Sequence, residues 1–165
     1  MGRRTWQRTL TTTSLRASAD DTIRRVIVVD TGPLVALVSP NDAAHEACHN
    51  WFDGLPTRRD LVVPATVVAE ACYLIERFGG PHAEAVFLSD LADGAYGTVT
   101  GLIPEDLQRM AELVRQYASL PLGGTDASVV AVAERVKTLR VATLDRRHFT
   151  VVRSRRGEAF TLYPA

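Results

Sequence analysis

Four acidic residues stand where a carboxylate has a chemical use: Asp30, Glu70, Asp126 and Asp145. Asp30 ends the apolar run VIVV, and Asp145 ends RVATL. A carboxylate at the end of a greasy strand is costly to bury unless it is paired or metal-bound. In open α/β sheets the ligand crevice lies outside the carboxyl ends of the strands. Asp126 falls in the first turn of a helix behind Gly123 and Gly124, where the helix end favours an anion. Glu70 lies beside the apolar stripe Val67, Val68, Ala71, Leu74 and Ile75, at its rim or inside. Brought together, the four would repel, because close like charges cannot all ionise cheaply. A divalent cation resolves that conflict. Hard oxygen donors suit Mg²⁺ or Mn²⁺, and such a site positions and activates water and stabilises charge on phosphoryl oxygens. Each acid also has an ordinary explanation: Asp30 and Asp145 as caps, Asp126 as a dipole partner, Glu70 as a solvated rim residue. Spacing alone does not establish convergence.

The elements that must position these residues alternate along the chain. VIVVD (26–30) is a continuous β-branched run, the form of a strand buried on both faces. TGPLVAL then starts a helix, with Thr31 expected as cap and Pro33 in the first turn. Asn41 and Asp42 are expected to cap a second helix that runs through Trp51 and Phe52. LVV (61–63) predicts a strand, and residues 65–78 a helix stopped by Gly79-Gly80-Pro81. Residues 82–91 read as helix, 96–103 as strand, and Pro104 opens a helix to about residue 118. LPLGG is a loop, and Thr125 is expected to cap the periodic helix DASVVAVAERVKT. RVATLD (140–145) is another buried strand, and either FTVV or FTLY supplies the last. This alternation predicts a three-layer α/β/α fold around a parallel central sheet.

The 165 residues suffice for one α/β domain with a packed core. Net charge is zero, so no global electrostatic footprint for nucleic acid exists, and RNA binding would need local charge or a metal. No window reaches the ~20 apolar residues of a membrane span. The two cysteines, Cys48 and Cys72, read as reduced core thiols without a disulfide framework, and a cytoplasmic setting is the simple expectation. Residues 1–25 are Arg-, Thr- and Ser-rich and lack the apolar region of a secretory signal. They read as an extension, disordered or not native to the fold, ahead of a domain spanning 26–165. A transit-peptide composition is the other reading of that segment.

The segments VIVVDTGPLVAL, PATVVAEACYLIER and LPLGGTDASVVAVAERVKTLRVATLDRRHF together resemble a PIN domain, most closely the VapC type, the toxin half of a toxin–antitoxin pair. The likeness covers about residues 26–163. It implies a flavodoxin-like parallel sheet, Mg²⁺- or Mn²⁺-dependent endoribonuclease activity, homodimers, and inhibition by a small antitoxin protein. By position, Asp30, Glu70, Asp126 and Asp145 match the family's acidic quartet. Thr31 and Thr125 match hydroxyl positions beside it, with Thr143 near. The first strand normally opens such a chain, and residues 1–25 depart from that. After Asp145 come Arg146, Arg147, His148, Arg153, Arg155 and Arg156, which near the crevice would grip phosphates. A solvated basic tail is the plainer reading. Arg24 and Arg25 begin the first strand, so they belong at the opposite end.

Rival readings exist. His45-Glu46-Ala47-Cys48-His49 fits the zinc-protease pattern of two histidines one turn apart with a Glu as base, and Glu70 could supply a third ligand. That reading leaves Asp30, Asp126 and Asp145 without roles. An aspartyl phosphatase would want a second Asp where Gly32 stands, and the only Lys, Lys137, lies mid-helix where a receiver domain would want one later. An RNA-processing nuclease without an antitoxin has the same chemistry as a toxin, and a non-catalytic RNA-binding protein is the remaining class.

Overall fold

The computed structural model describes residues 25–165; the expected N-terminal extension lies outside the described residues except for Arg25. Five short strands form one sheet: β1 (Ile27–Val29), β2 (Leu61–Pro64), β3 (Thr98–Thr100), β4 (Arg140–Ala142) and β5 (Thr161–Tyr163). All pairings are parallel, in the order β3-β2-β1-β4-β5. The helices are α1 (Thr31–Val38), α2 (His45–Asp53), α3 (Ala65–Ala92), α4 (Pro104–Gln116), α5 (Gly124–Arg135) and α6 (Arg146–Phe149). The result is a three-layer α/β/α domain. Helices cover both faces of a parallel sheet, which is why Ile27, Val28, Val29, Val63 and Val141 are all buried.

Strand order reverses between β1 and β4, which lie side by side with Val29 opposite Ala142. That reversal opens a crevice at the carboxyl ends of the two strands. The next residues, Asp30 and Thr143, therefore meet there, and the Asp30 N–H still donates to the Ala142 carbonyl at 2.8 Å. Behind the crevice one continuous core joins the sheet to α1, α3 and α5 through Leu34, Val67, Ile75, Val129 and Val132. At the other end of the sheet the Thr138 hydroxyl donates to the Val26 carbonyl at 2.7 Å.

Several boundaries differ from the sequence reading, each for a local reason. The N-cap of α1 is Asp30 rather than Thr31, because the Asp30 carboxylate takes the Thr31 N–H. The N-cap of α5 is Gly123 rather than Thr125; Asp126 reaches back to the Gly123 N–H. Asp42 serves a turn, accepting from Ala44 N–H, and α2 opens only at His45. The span 65–92 of α3 is two helices in sequence, as expected, meeting without an intervening loop at a non-helical Gly80. That residue, at φ 76°, breaks the regularity ahead of Pro81. The strand expected over 96–103 is only Thr98–Thr100. Gly97, at φ 105°, lies so close to Leu61 that no side chain would fit there. Of the two candidates for the last strand, FTLY supplies it.

Candidate active site

The four carboxylates come from four different elements and line one open crevice of about 850 Å³, together with Thr31, Gly32, Asp42, Phe78, Arg146 and Arg147. Asp30 is the buried member, 5% exposed. Its Oδ1 accepts the Thr31 N–H at 2.7 Å, and its Oδ2 accepts the Thr143 hydroxyl at 2.7 Å. The same Thr143 oxygen accepts the Asp145 N–H at 2.9 Å, so one fully buried hydroxyl ties the two strand-end acids together. Asp126 stands in the first turn of α5, its Oδ2 accepting the Gly123 N–H at 3.1 Å. Asp145 caps α6, its Oδ1 accepting the His148 N–H at 3.0 Å. Glu70 is exposed at the rim, and the Thr31 hydroxyl donates to its Oε2 at 2.5 Å. Gly32 lets α1 start hard against Leu144; a Cβ there would lie 3.1 Å from the Leu144 Cβ.

Charge in this crevice is under-compensated. Burial pushes the Asp30 carboxyl from 3.8 up to about 6, and the neighbouring Asp126 and Glu70 charges add to the rise against its two hydrogen bonds. Burial also raises Asp126, with Asp145 and Glu70 pushing the same way against the Gly123 N–H and His148. Among the described residues no Lys or Arg forms an ion pair with any of the four acids. A donor set of four hard oxygen ligands with excess negative charge fits a divalent cation. Asp126, Asp145 and His148 bring three donor atoms within 4.8 Å of one another.

A family model for the PIN domain matches residues 27–154. The chain belongs to the PIN-domain family. Its VapC-type character stands on 33% identity over 138 residues to the ribonuclease VapC26 of Mycobacterium tuberculosis, across 84% of this chain and 100% of that protein. Among solved structures, VapC20 of Mycobacterium tuberculosis, a sarcin-ricin loop cleaving toxin, superimposes with a TM-score of 0.64 at 18% identity, over 70% of this chain and 86% of that one. FitAcB of Neisseria gonorrhoeae gives a TM-score of 0.55 at 21% identity, over 73% and 88%.

Within this PIN domain the other expected site residues divide. Thr31 and Thr143 touch the acids directly. Thr125 stands in the first turn of α5 directly before Asp126; among the described residues its hydroxyl makes no hydrogen bond to the four acids, and its carbonyl accepts from the Ser128 hydroxyl. Arg146 and Arg147 line the crevice. The Arg146 guanidinium is tied to the Pro164 carbonyl, whereas exposed Arg147 has no recorded partner among the described residues. Arg153 is turned away, donating to the carbonyls of Thr150, Val151 and Val152, and is not a crevice residue. Arg155 pairs with Glu112, and Arg156 lines a separate cavity of about 580 Å³ beside the Arg109–Glu134 ion pair.

The residue that sequence reasoning undervalued is His148, treated there only as one of a basic run. One helical turn after Asp145, its ring returns to the acids, with Nδ1 2.7 Å from Asp145 Oδ2 and 3.4 Å from Asp126 Oδ2. The i,i+3 spacing on a short helix was the available signal. The zinc-protease pattern has a structural use instead. His45 Nδ1 donates to the Ala36 carbonyl at 2.7 Å, and His49 Nε2 to the Leu37 carbonyl at 3.3 Å. Both are carbonyls left open at the end of α1. Among the described residues these histidines join no metal-holding group with Glu70. No described helix is long and apolar enough to cross a membrane.

Proposed function

We propose that this PIN domain is a divalent-metal-dependent endoribonuclease, the toxin of a toxin–antitoxin pair, using Mg²⁺ or Mn²⁺. The observation that carries the reading is the meeting of Asp30, Glu70, Asp126 and Asp145 in one crevice, where among the described residues no Lys or Arg forms an ion pair with them. The 33%-identical relative, itself a ribonuclease, supports the substrate class.

Hydrolysis joins a water oxygen to phosphorus and releases one sugar oxygen. The attacking water must lose a proton and the leaving oxygen must gain one. Asp30, Asp126 and Glu70 would hold the cation, with Asp145 completing the set directly or through water. When bound, the cation neutralises phosphoryl charge and makes water more acidic. Thr143 fixes the Asp30 carboxylate and the Asp145 backbone in one arrangement. Thr31 orients Glu70, which would otherwise sample many rotamers at the rim. A carboxylate that does not ligate directly would accept the water proton, and the leaving sugar oxygen would take its proton from that group or from solvent water. Arg147, exposed at the crevice edge, contacts an RNA phosphate. The antitoxin covers the same crevice, and the working form is a homodimer in the cytoplasm.

The test is cleavage of a pool of structured RNAs by the purified chain with Mn²⁺, with Mg²⁺ and with chelator, beside Asp30→Asn. Cuts that require metal and vanish in the variant are expected. Cuts that persist in chelator, or in Asp30→Asn, would sink the proposal.

A further inference from the structure

Asp145 and Asp126 share a neighbour that is not an acid. The His148 side chain is 14% exposed, and both ring nitrogens are shielded from solvent without a properly aligned hydrogen-bond partner. Yet Nδ1 lies 2.7 Å from one carboxylate oxygen and 3.4 Å from another. A protonated ring held only as an ion-pair partner would aim its N–H at one oxygen. Here closeness and alignment are separated. Two ligand atoms at right angles on one ion, with bonds of about 2.1 Å, stand about 3 Å apart. The spacing of Nδ1 to the two oxygens brackets that value. The ring is also held in place independently of any ion. Its own backbone N–H is bonded to Asp145 Oδ1, and the next residue, Phe149, is anchored in the core at 1% exposure.

We propose that His148 Nδ1 is a direct ligand of the catalytic metal, beside Asp126 and Asp145. The inference rests on the metal-dependent reading above. It adds a nitrogen donor to a set otherwise made of oxygen. Carboxylates accept Mg²⁺ and Mn²⁺ alike, whereas imidazole favours transition ions. His148 therefore biases the site toward Mn²⁺ and away from Mg²⁺. In this role the imidazole is neutral, and its Nδ1 lone pair faces the ion.

The experiment is pulsed electron paramagnetic resonance of the full chain loaded with Mn²⁺, which detects nitrogen bonded to the metal. Modulation from ¹⁴N is expected in the wild-type protein. It should change to the ¹⁵N pattern in protein grown with ¹⁵N-histidine, an arm that needs no variant to fold. His148→Gln should abolish it and weaken Mn²⁺ affinity by about tenfold or more, with a smaller loss for Mg²⁺. Mn²⁺ that binds in an Asp30-dependent way without nitrogen modulation would overturn the His148 assignment and leave the nuclease reading standing. Nitrogen modulation that survives in His148→Gln would overturn it too. Absence of any Mn²⁺ binding would overturn both.

Discussion

Asp30→Asn should make the metal-free protein more stable at neutral pH, although it removes a buried group with two good hydrogen bonds. The folded carboxyl is raised from 3.8 to about 6, so the unfolded chain ionises first as pH rises. An acid shifted upward favours folding below its unfolded pKa and loses that contribution as pH climbs through the folded one. The shift corresponds to about 3 kcal/mol lost between roughly pH 4 and pH 6. Asparagine never incurs that loss. Its carbonyl can still accept the Thr31 N–H, but the Thr143 hydroxyl loses a carboxylate acceptor, which costs about 1 kcal/mol. The net at pH 7 is about 2 kcal/mol in favour of the variant, or about 4–8 °C in Tm for a chain of this size. At about pH 4.5 the two effects cancel, and below it the variant is the weaker protein. The assay is denaturant unfolding of both proteins in chelator from pH 4 to 8. Metal reverses the order. At a hundred times its Kd, Mn²⁺ adds about 2.7 kcal/mol to the wild type and little to the variant. A variant destabilised at pH 7 in chelator, or a difference flat with pH, would refute the reasoning and make Asp30 a structural residue.

Two further substitutions probe the supports. Thr143→Val preserves shape but removes the donor to Asp30 and the acceptor of the Asp145 N–H; unfolding should show a loss of about 2 kcal/mol, and the acid limb of the cleavage–pH profile should move to higher pH because that hydrogen bond lowers the Asp30 pKa. Arg147→Ala should leave stability within about 0.5 kcal/mol yet weaken RNA binding to the Asp30→Asn protein and reduce the slope of log affinity against log salt by about 1.

What the sequence made legible is tied to strong local patterns. VIVVD and RVATLD declare buried strands by β-branching alone, and their terminal aspartates inherit a position at the sheet edge. The alternation of strands and helices then gives a parallel sheet. Convergence was not legible from these runs, because it depends on strand order: only the adjacency of β1 and β4 sets Asp30 beside Thr143. Helix starts were missed by one or two residues at α1 and α5, because side-chain carboxylates replaced threonines as the groups meeting backbone N–H. Arg153 looked like a site residue by its place in the basic run after Asp145, but its guanidinium is spent on the carbonyls of Thr150, Val151 and Val152. His148 went the other way, returned to the acids by a single turn of α6.

Those shifted helix starts explain how the crevice tolerates its charge. Three of the four acids accept a backbone N–H at the opening of a helix: Asp30 at α1, Asp126 at α5 and Asp145 at α6. Unsatisfied N–H groups at a helix start carry partial positive charge. They stabilise a carboxylate without neutralising it, as a lysine or arginine would. A guanidinium in the same place would form a permanent ion pair and compete with any cation for the oxygens. The plain reading of each acid as a cap and the chemical reading as a ligand therefore describe one arrangement. The backbone contributes enough to keep the acids folded together, and Asp30, still raised to about 6, shows that it does not contribute enough to satisfy them. A folded but electrostatically incomplete cluster is the condition under which cation binding and folding stability become linked.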